Sequence, residues 1–137
     1  MSSLDLRLNT HLTLAVTSNL QLRVRTQFSY VCADPYAVHV CFTITPAQAV
    51  RWTFARELLD QGTEFSVGLG DVKIAPVESS LGQYFSIELE SPNGHARLEG
   101  PTAPVKSWIA KTYDAVPAGS EPEFLDIDRF FEEPSGR

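Results

Sequence analysis

Apolar residues recur at every second position through the first third of the chain. Leucine or valine occupies most even-numbered positions from 4 to 16, while the odd-numbered positions between them are mostly polar. The same alternation returns over residues 20–30 and 36–44, and a shorter segment holds Val50, Trp52 and Phe54. Period two is typical of strands with one buried and one wetter face. Because short turn-forming segments separate these stretches, the pattern predicts four successive antiparallel strands.

The apolar period changes after the fourth of these strands. Residues 54–62 have the spacing of a short helix, and Gly62 is a suitable C-terminal stop. Beyond it, three further strands are predicted around residues 72–77, 84–90 and 95–99, with serine, glycine and proline clusters between them.

A second helix is predicted to begin near Pro104 and to end before Pro117. A last short helix would hold Phe124, Ile127 and Phe131 on one side. The predicted fold is therefore an α+β single domain of about seven antiparallel strands, in a curved sheet or two packed sheets. Four residues of the second helix have the i, i+3, i+4, i+7 spacing of a core-facing stripe: Val105, Trp108, Ile109 and Thr112.

The net charge of −6 is distributed unevenly along the 137 residues. Residues 117–137 form an acidic segment of charge −4, predicted to be partly helical, and residues 1–116 form the predicted folded body with −2. An acidic chain is repelled by phosphate backbones at long range, which disfavours nucleic-acid partners and anionic membrane surfaces. No stretch approaches the ~18 apolar residues of a membrane-spanning helix, and the N-terminus lacks a signal-peptide pattern. We therefore expect a cytoplasmic protein without direct membrane insertion.

The two cysteines lie on either side of a predicted turn at Asp34-Pro35. A hairpin centred there places Cys41 opposite Gln27, so Cys32 lies about five residues, roughly 16 Å, farther along the strand. A disulfide requires Cα atoms within about 7 Å. The spacing therefore predicts two reduced thiols.

The sequence contains no recognisable catalytic or metal-binding motif. His39 and Cys41 share a strand face but supply only half of a tetrahedral metal site. Glu88 and Glu90 also share a strand face, which a solvated surface explains more simply than a glycosidase pair. Residues 68–71 contain two glycines but lead into a strand, so we interpret them as a turn and not as a phosphate loop. We expect no enzymatic activity, no cofactor and no metal.

Single-stranded nucleic-acid binding is the alternative function. Such proteins combine a basic groove with interleaved aromatic rings. Here the basic side chains occupy odd-numbered positions and the aromatic ones even-numbered positions, so they lie on opposite faces of the predicted strands. A solvated face or an oligomer contact is therefore the simpler interpretation of the basic residues. The residues of the basic parity are Arg7, His11, Arg23, Arg25 and His39. The aromatic parity holds Phe28, Tyr30, Tyr36 and Phe42.

Apolar side chains crowd the acidic C-terminal segment. An acidic helix with apolar anchors can dock into the groove of a partner protein. It can also pack on its own domain, and in an oligomer both arrangements can hold. The candidate partner-binding residues are Phe124, Leu125, Ile127, Phe130 and Phe131.

Four segments of the chain resemble a known family. They are Ala33–His39, Trp52–Leu59, Gly70–Pro76 and Ala115–Glu121. Together they look like the SsgA-like sporulation and cell-division proteins of actinomycetes, most closely the SsgB branch. Their order and spacing also fit, so the resemblance covers nearly the whole chain.

The resemblance implies a non-enzymatic regulator of septum placement in sporulation-linked cell division. It implies an adaptor that helps recruit FtsZ, the tubulin-like division protein, together with an SsgA-type paralogue. The fold of the family is thought to resemble the Whirly-type single-stranded nucleic-acid binders, which oligomerise, so a homo-oligomer such as a trimer is expected. Likeness of fold does not carry function with it, and the acidic charge argues against nucleic acid as the partner.

Overall fold

The computed structural model describes residues 5–126, which form one antiparallel sheet of eight strands and three helices. The spatial order of the strands is β4-β3-β2-β1-β8-β7-β6-β5. The elements are β1 (Asp5–Ala15), β2 (Gln21–Val31), β3 (Ala37–Thr45), β4 (Gln48–Ala55), α1 (Arg56–Gly62), β5 (Val67–Leu69), β6 (Val72–Ser79), β7 (Gly82–Ser91), β8 (Gly94–Pro101), α2 (Thr102–Ala115) and α3 (Glu121–Phe124).

The strand register confirms the alternation read from the first four strands. Leu8 faces Phe28, Phe28 faces Val40, and Val40 faces Trp52, so the even-numbered residues form a continuous row on one face. Phe28 and Val40 are fully buried. Complete burial of a large apolar side chain contributes about 1.5–3 kcal/mol relative to exposure. This row therefore supplies much of the core.

Two four-stranded meanders join through a short contact at the centre of the sheet. The pairing of β1 with β8 covers only Thr13 with Glu99 and Leu14 with Leu98. The sheet curls around α2, whose Trp108 ring lies 5.8 Å from the ring of Phe28. The predicted stripe on α2 is confirmed, because all four of its residues are buried: Val105, Trp108, Ile109 and Thr112.

The number of strands differs from the sequence prediction, and the single curved sheet is one of the two predicted arrangements. The described residues form eight strands in one sheet, whereas about seven strands and either one or two sheets were expected. The additional strand, β5, has only three residues and pairs with β6 at the edge of the sheet. This strand was not predicted because three residues, the central one a glycine, are too few to show a recognisable alternation. The predicted turn at residues 68–71 is in fact the end of β5 and the Gly70-Asp71 turn.

The helix boundaries also shift by a few residues. Phe54 pairs with Val38 and Ala55 with Ala37, so both remain in β4, and α1 begins only at Arg56. Helix α2 begins at Thr102, two residues before Pro104. Helix α3 is a single turn that includes Phe124. The predicted helical partners Ile127 and Phe131 lie outside the described residues.

The hairpin between β2 and β3 has the predicted register. Gln27 faces Cys41 across the two strands, five positions before Cys32. Both thiols are free and half-buried.

Candidate partner-binding surfaces

A buried arginine lies where the middle of the chain meets its C-terminal segment. Arg56 is 2% exposed and begins α1, which follows directly from β4. Its Nη1 donates to the main-chain oxygens of Thr112 at 3.0 Å and Val116 at 2.9 Å. The Thr112 oxygen also accepts the N–H of Val116 at 2.9 Å, and a cation near the end of a helix interacts favourably with the helix dipole. Its Nη2 donates to Glu121 Oε2 at 2.9 Å.

Two tyrosine rings cover the guanidinium of Arg56. Its central carbon lies 3.9 Å from the ring centroid of Tyr113 and 4.9 Å from that of Tyr30. Such contacts are stronger when they are desolvated. The Tyr30 hydroxyl donates to the main-chain oxygen of Pro35 at 2.8 Å. Burial raises the pKa of Tyr30 to about 12, although the charge of Arg56 opposes this shift, and burial also raises the pKa of Tyr113.

Glu121 connects the C-terminal segment to this centre. Its Oε1 accepts the N–H of Gly119 at 2.8 Å, while its Oε2 faces Arg56. The pKa of Glu121 is lowered first by its own backbone N–H, then by that of Gly119 and by Arg56, with partial burial opposing them. The N–H of Asp126 donates to the main-chain oxygen of Ala33 at 3.1 Å. Residues 117–126 are thus held against the body at two points.

The predicted partner-binding residues are only partly within the described region. Phe124 lies on α3 and is 38% exposed, and Leu125 is half-buried beside it. Ile127, Phe130 and Phe131 lie outside the described residues. The anchoring role of Arg56 was not predicted from the sequence, although a signal was present. Phe54 is buried on the even-numbered face of β4, and Arg56 is the next even-numbered residue.

The outer face of strands β1–β4 is basic, as the parity predicted. His11 faces Arg25, Thr13 faces Arg23, and Ser29 faces both Arg7 and His39 on its two neighbouring strands. These side chains therefore lie on one surface. The structure adds Arg51 to this surface, opposite Cys41 on β3. The prediction stopped at three strands and did not include it.

Two adjoining depressions lie on this basic face. The first, about 430 Å³, is lined by His11, Arg25 and Arg51 together with polar strand residues. The second, about 280 Å³, shares His11 with the first and is also lined by Arg23, Tyr84 and Glu99. An aromatic ring thus borders the basic surface after all. It was missed because Tyr84 comes from β7, far along the chain.

The outer face of β7 and β8 carries a network of ion pairs. Arg97 Nη1 donates to Glu88 Oε2 at 2.8 Å, and its Nη2 donates to Glu99 Oε2 at 2.8 Å. His95 Nε2 lies 3.3 Å from Glu88 Oε1. The hydrogen bond from His95 and the charge of Arg97 lower the pKa of Glu88 below its usual 4.5. A glycosidase acid requires a raised pKa, so the geometry disfavours that role for Glu88.

No metal site is present in the described part of the chain. Residues 5–126 contain no group of three or more histidine, cysteine or acidic side chains arranged so that they could hold a metal ion. Both ring nitrogens of His39 have other neighbours: Nδ1 lies 2.9 Å from Thr53 Oγ1 and Nε2 lies 3.3 Å from Asp34 Oδ2. The half-site suggested by His39 and Cys41 is therefore not completed by any group among these residues.

An apolar opening of about 270 Å³ lies between the first meander and strands β7 and β8. Leu14, Ile44, Val50 and Trp52 from the first meander line it opposite residues of β7 and β8. Three apolar side chains at the end of the neighbouring β1–β2 hairpin are also more than two-fifths exposed. Exposed apolar surface of this kind often marks a protein contact. The three residues are Val16 (47%), Leu20 (49%) and Leu22 (42%).

Comparison with known proteins gives the same family throughout. The profile of the family described as Streptomyces sporulation and cell division protein, SsgA, matches residues 24–121. The chain is 38% identical to the sporulation-specific cell division protein SsgB of Frankia casuarinae, over 85% of this chain and 82% of that one. It is 40% identical to SsgB of Streptomyces coelicolor, over 87% of each chain.

A solved structure supports the same assignment. The crystal structure of an SsgA-like sporulation-specific cell division protein from Thermobifida fusca matches with a TM-score of 0.86 at 34% identity, covering 97% of each chain. None of the helices within residues 5–126 has the length and apolar character needed to span a bilayer. The relatives described are all named as sporulation cell-division proteins, and the resemblance seen in the sequence is confirmed: the chain belongs to the SsgA family of sporulation and cell division proteins.

Proposed function

We propose that this protein regulates sporulation-specific cell division as a non-enzymatic adaptor in the cytoplasm. It helps to bring the FtsZ division machinery to septum sites, together with an SsgA-type paralogue. The observation that carries the proposal is the family match over residues 24–121, with relatives named as sporulation-specific division proteins. The surfaces described above are suited to contacts with proteins.

The C-terminal segment is the proposed contact with the division partner. Arg56 and Glu121 hold the start of this segment, and Phe124 follows them at 38% exposure. An anchored turn presents an aromatic side chain at little entropic cost, because its backbone is already ordered. In this proposal Leu125 and the apolar residues beyond it complete the contact: Ile127, Phe130 and Phe131.

Self-association is the second part of the proposal. The apolar opening and the exposed leucines of the β1–β2 hairpin give one copy a surface to bury against another, and a trimer is the assembly we expect. Light scattering of the purified chain should give a multiple of its 15.2 kDa mass. A monomer mass at all concentrations tested would contradict this part of the proposal.

Co-sedimentation with polymerised FtsZ tests the adaptor role. The chain should pellet with the polymer, alone or when an SsgA-type paralogue is added. Phe124→Ala should reduce the pelleted fraction severalfold. Phe65→Ala is the matched control, because Phe65 is also exposed, at 54%, but lies in the loop after α1. Absence of wild-type protein from the pellet under both conditions would refute the proposal.

A further inference from the structure

Three arginines on the outer face of β1–β4 lack a charged partner. Arg23, Arg25 and Arg51 make no ion pair and no side-chain hydrogen bond within residues 5–126. The other arginines of the sheet differ, since Arg7 is paired with Asp5 and Arg97 with two glutamates. Acidic residues outnumber basic ones by 17 to 11, so three unpaired arginines on one surface stand out.

The register brings two of these arginines, Arg25 and Arg51, around one depression. Arg25 faces Thr43 and Arg51 faces Cys41, so the two arginines flank β3 from opposite sides. Their Cα atoms are therefore roughly 12 Å apart, from the usual strand spacing and rise. His11 faces Arg25 from the other side. Among the described residues that line this depression of about 430 Å³, none is acidic.

The positive charge of Arg25 and Arg51 is not balanced by any acidic side chain among the described residues that line the depression. Both side chains are exposed, so both are accessible to an anion from solution. Guanidinium groups bind carboxylates through two parallel hydrogen bonds, which adds geometric selectivity to the charge.

We propose that this depression binds an acidic, extended peptide segment of a partner protein. The carboxylates of the segment would pair with Arg25 and Arg51. The side-chain amides of Asn9 and Gln27, which are bonded to each other at 2.9 Å, lie on the same face and provide polar groups for the peptide backbone. The inference rests on the proposed adaptor function only in taking the ligand to be part of a protein.

A peptide suits the surface better than a nucleic acid does. Single-strand binding requires a continuous basic track with several stacking rings. Here Glu99 lies beside Arg23 in the adjoining depression and interrupts the positive surface, and Tyr84 is the aromatic residue that lines it. A peptide of mixed side chains needs only a local match of charge. The surface therefore fits a short run of carboxylates.

Fluorescence anisotropy at low salt tests the proposal directly. The probe is a labelled ten-residue peptide of alternating Glu and Ser, and its Gln–Ser counterpart is the uncharged control. The double variant Arg25→Gln, Arg51→Gln should bind the acidic peptide at least ~10-fold more weakly than the unchanged chain. The matched control is Lys73→Gln, Lys111→Gln, which removes the same charge from exposed positions outside strands β1–β4 and should change binding less than ~2-fold.

Three results would overturn the inference. The first is no preference of the unchanged chain for the acidic peptide over the Gln–Ser peptide. The second is an equal loss of binding in the two double variants, which would indicate a general charge effect. The third is tighter binding of a labelled oligothymidylate of equal charge with the same dependence on Arg25 and Arg51, which would assign the surface to nucleic acid.

Failure of this inference and failure of the adaptor proposal can be separated. The peptide measurement needs no division protein, so its outcome does not depend on FtsZ. If the unchanged chain pellets with FtsZ but shows no preference for the acidic peptide, only the inference fails. If it binds the acidic peptide through Arg25 and Arg51 but never pellets with FtsZ, the site stands and the adaptor proposal fails.

Discussion

Arg56 and Glu121 are 65 positions apart, and a hydrogen-bonded ion pair of 2.9 Å joins them. The arginine is almost fully buried, whereas the glutamate side chain is 16% exposed at the surface. The same guanidinium also binds the last carbonyls of α2. One side chain therefore connects the start of α1, the end of α2 and the start of α3, the single-turn helix that carries Phe124.

Replacing Arg56 should destabilise the fold strongly. Arg56→Met keeps most of the buried volume but removes the arginine donor from the Val116 oxygen and from Glu121 Oε2, while the Thr112 oxygen keeps the N–H of Val116. Loss of one partner from a buried pair typically costs about 3–5 kcal/mol, and we expect about 3 kcal/mol here because Glu121 is partly solvated. Urea unfolding measures this loss of unfolding free energy. Arg23→Met, at an exposed position, should stay within about 0.5 kcal/mol, and equal effects would contradict this reading.

The lowered pKa of Glu121 predicts weaker stability in acid. In the folded state this carboxyl stays ionised at pH values somewhat below its ordinary pKa of 4.5. The stabilisation is complete above pH 4.5 and is lost as the pH falls through the lowered pKa of the folded state. Glu121→Gln should lower the melting temperature at neutral pH and make its fall below pH 4.5 shallower. Glu123→Gln, two residues along, is the control and should keep the steep profile. Identical profiles for the two variants would count against the pairing.

The tyrosines that cover Arg56 predict an alkaline transition. Burial raises the pKa of Tyr30 from 10.0 to about 12 in the folded state. Its contribution to stability is therefore complete below pH 10 and disappears as the pH rises towards 12. A near-ultraviolet absorbance titration should show a late tyrosinate component, which Tyr30→Phe should reduce, leaving the contribution of Tyr113, whose pKa is also raised by burial. Tyr36→Phe, at a tyrosine that is 49% exposed, should keep that component. Ionisation of every tyrosine together near pH 10 would be the contrary result.

A glycine at the end of α1 should not tolerate alanine. A Cβ on Gly62 would overlap the side chain of Ile74, which is fully buried on β6. Alanine usually stabilises a helix by about 0.5–1 kcal/mol relative to glycine. Here we expect a net loss of about 1–3 kcal/mol from overpacking, measured by urea unfolding. Gly68→Ala is the matched control, because its nearest neighbour is the flexible Lys73 side chain at 3.1 Å. A stabilised Gly62→Ala variant would show that Ile74 moves freely.

Local spacing explains which elements could be predicted from the sequence. The long strands β1–β3 and the stripe of α2 each repeat their apolar period several times, so the pattern identifies them without knowledge of their neighbours. Strand β5 was missed because three residues contain barely one period. The start of α1 was placed two residues early because Phe54 fits both the end of a strand and the start of a helix.

The candidate surfaces depend more on contacts between distant residues. Parity alone placed Arg7, Arg23 and Arg25 together, because neighbouring strands of a meander share their faces. Parity did not reveal that Arg25 and Arg51 lack charged partners among the described residues, nor that Tyr84 from β7 lines the depression beside Arg23. Charge pairing depends on which strands become neighbours, and that is determined over the whole sheet.

The alternation of leucine and valine by itself determined that this chain forms antiparallel strands with one polar face, since period two places successive side chains on opposite sides. The four sequence segments that resemble the SsgA-like proteins likewise identified the family. Only the tertiary structure decided that the two meanders meet at Thr13 and Leu14, that the sheet closes around Trp108, and that Arg56 is buried against Glu121. These features depend on contacts between residues far apart in the chain, and no local period encodes such contacts.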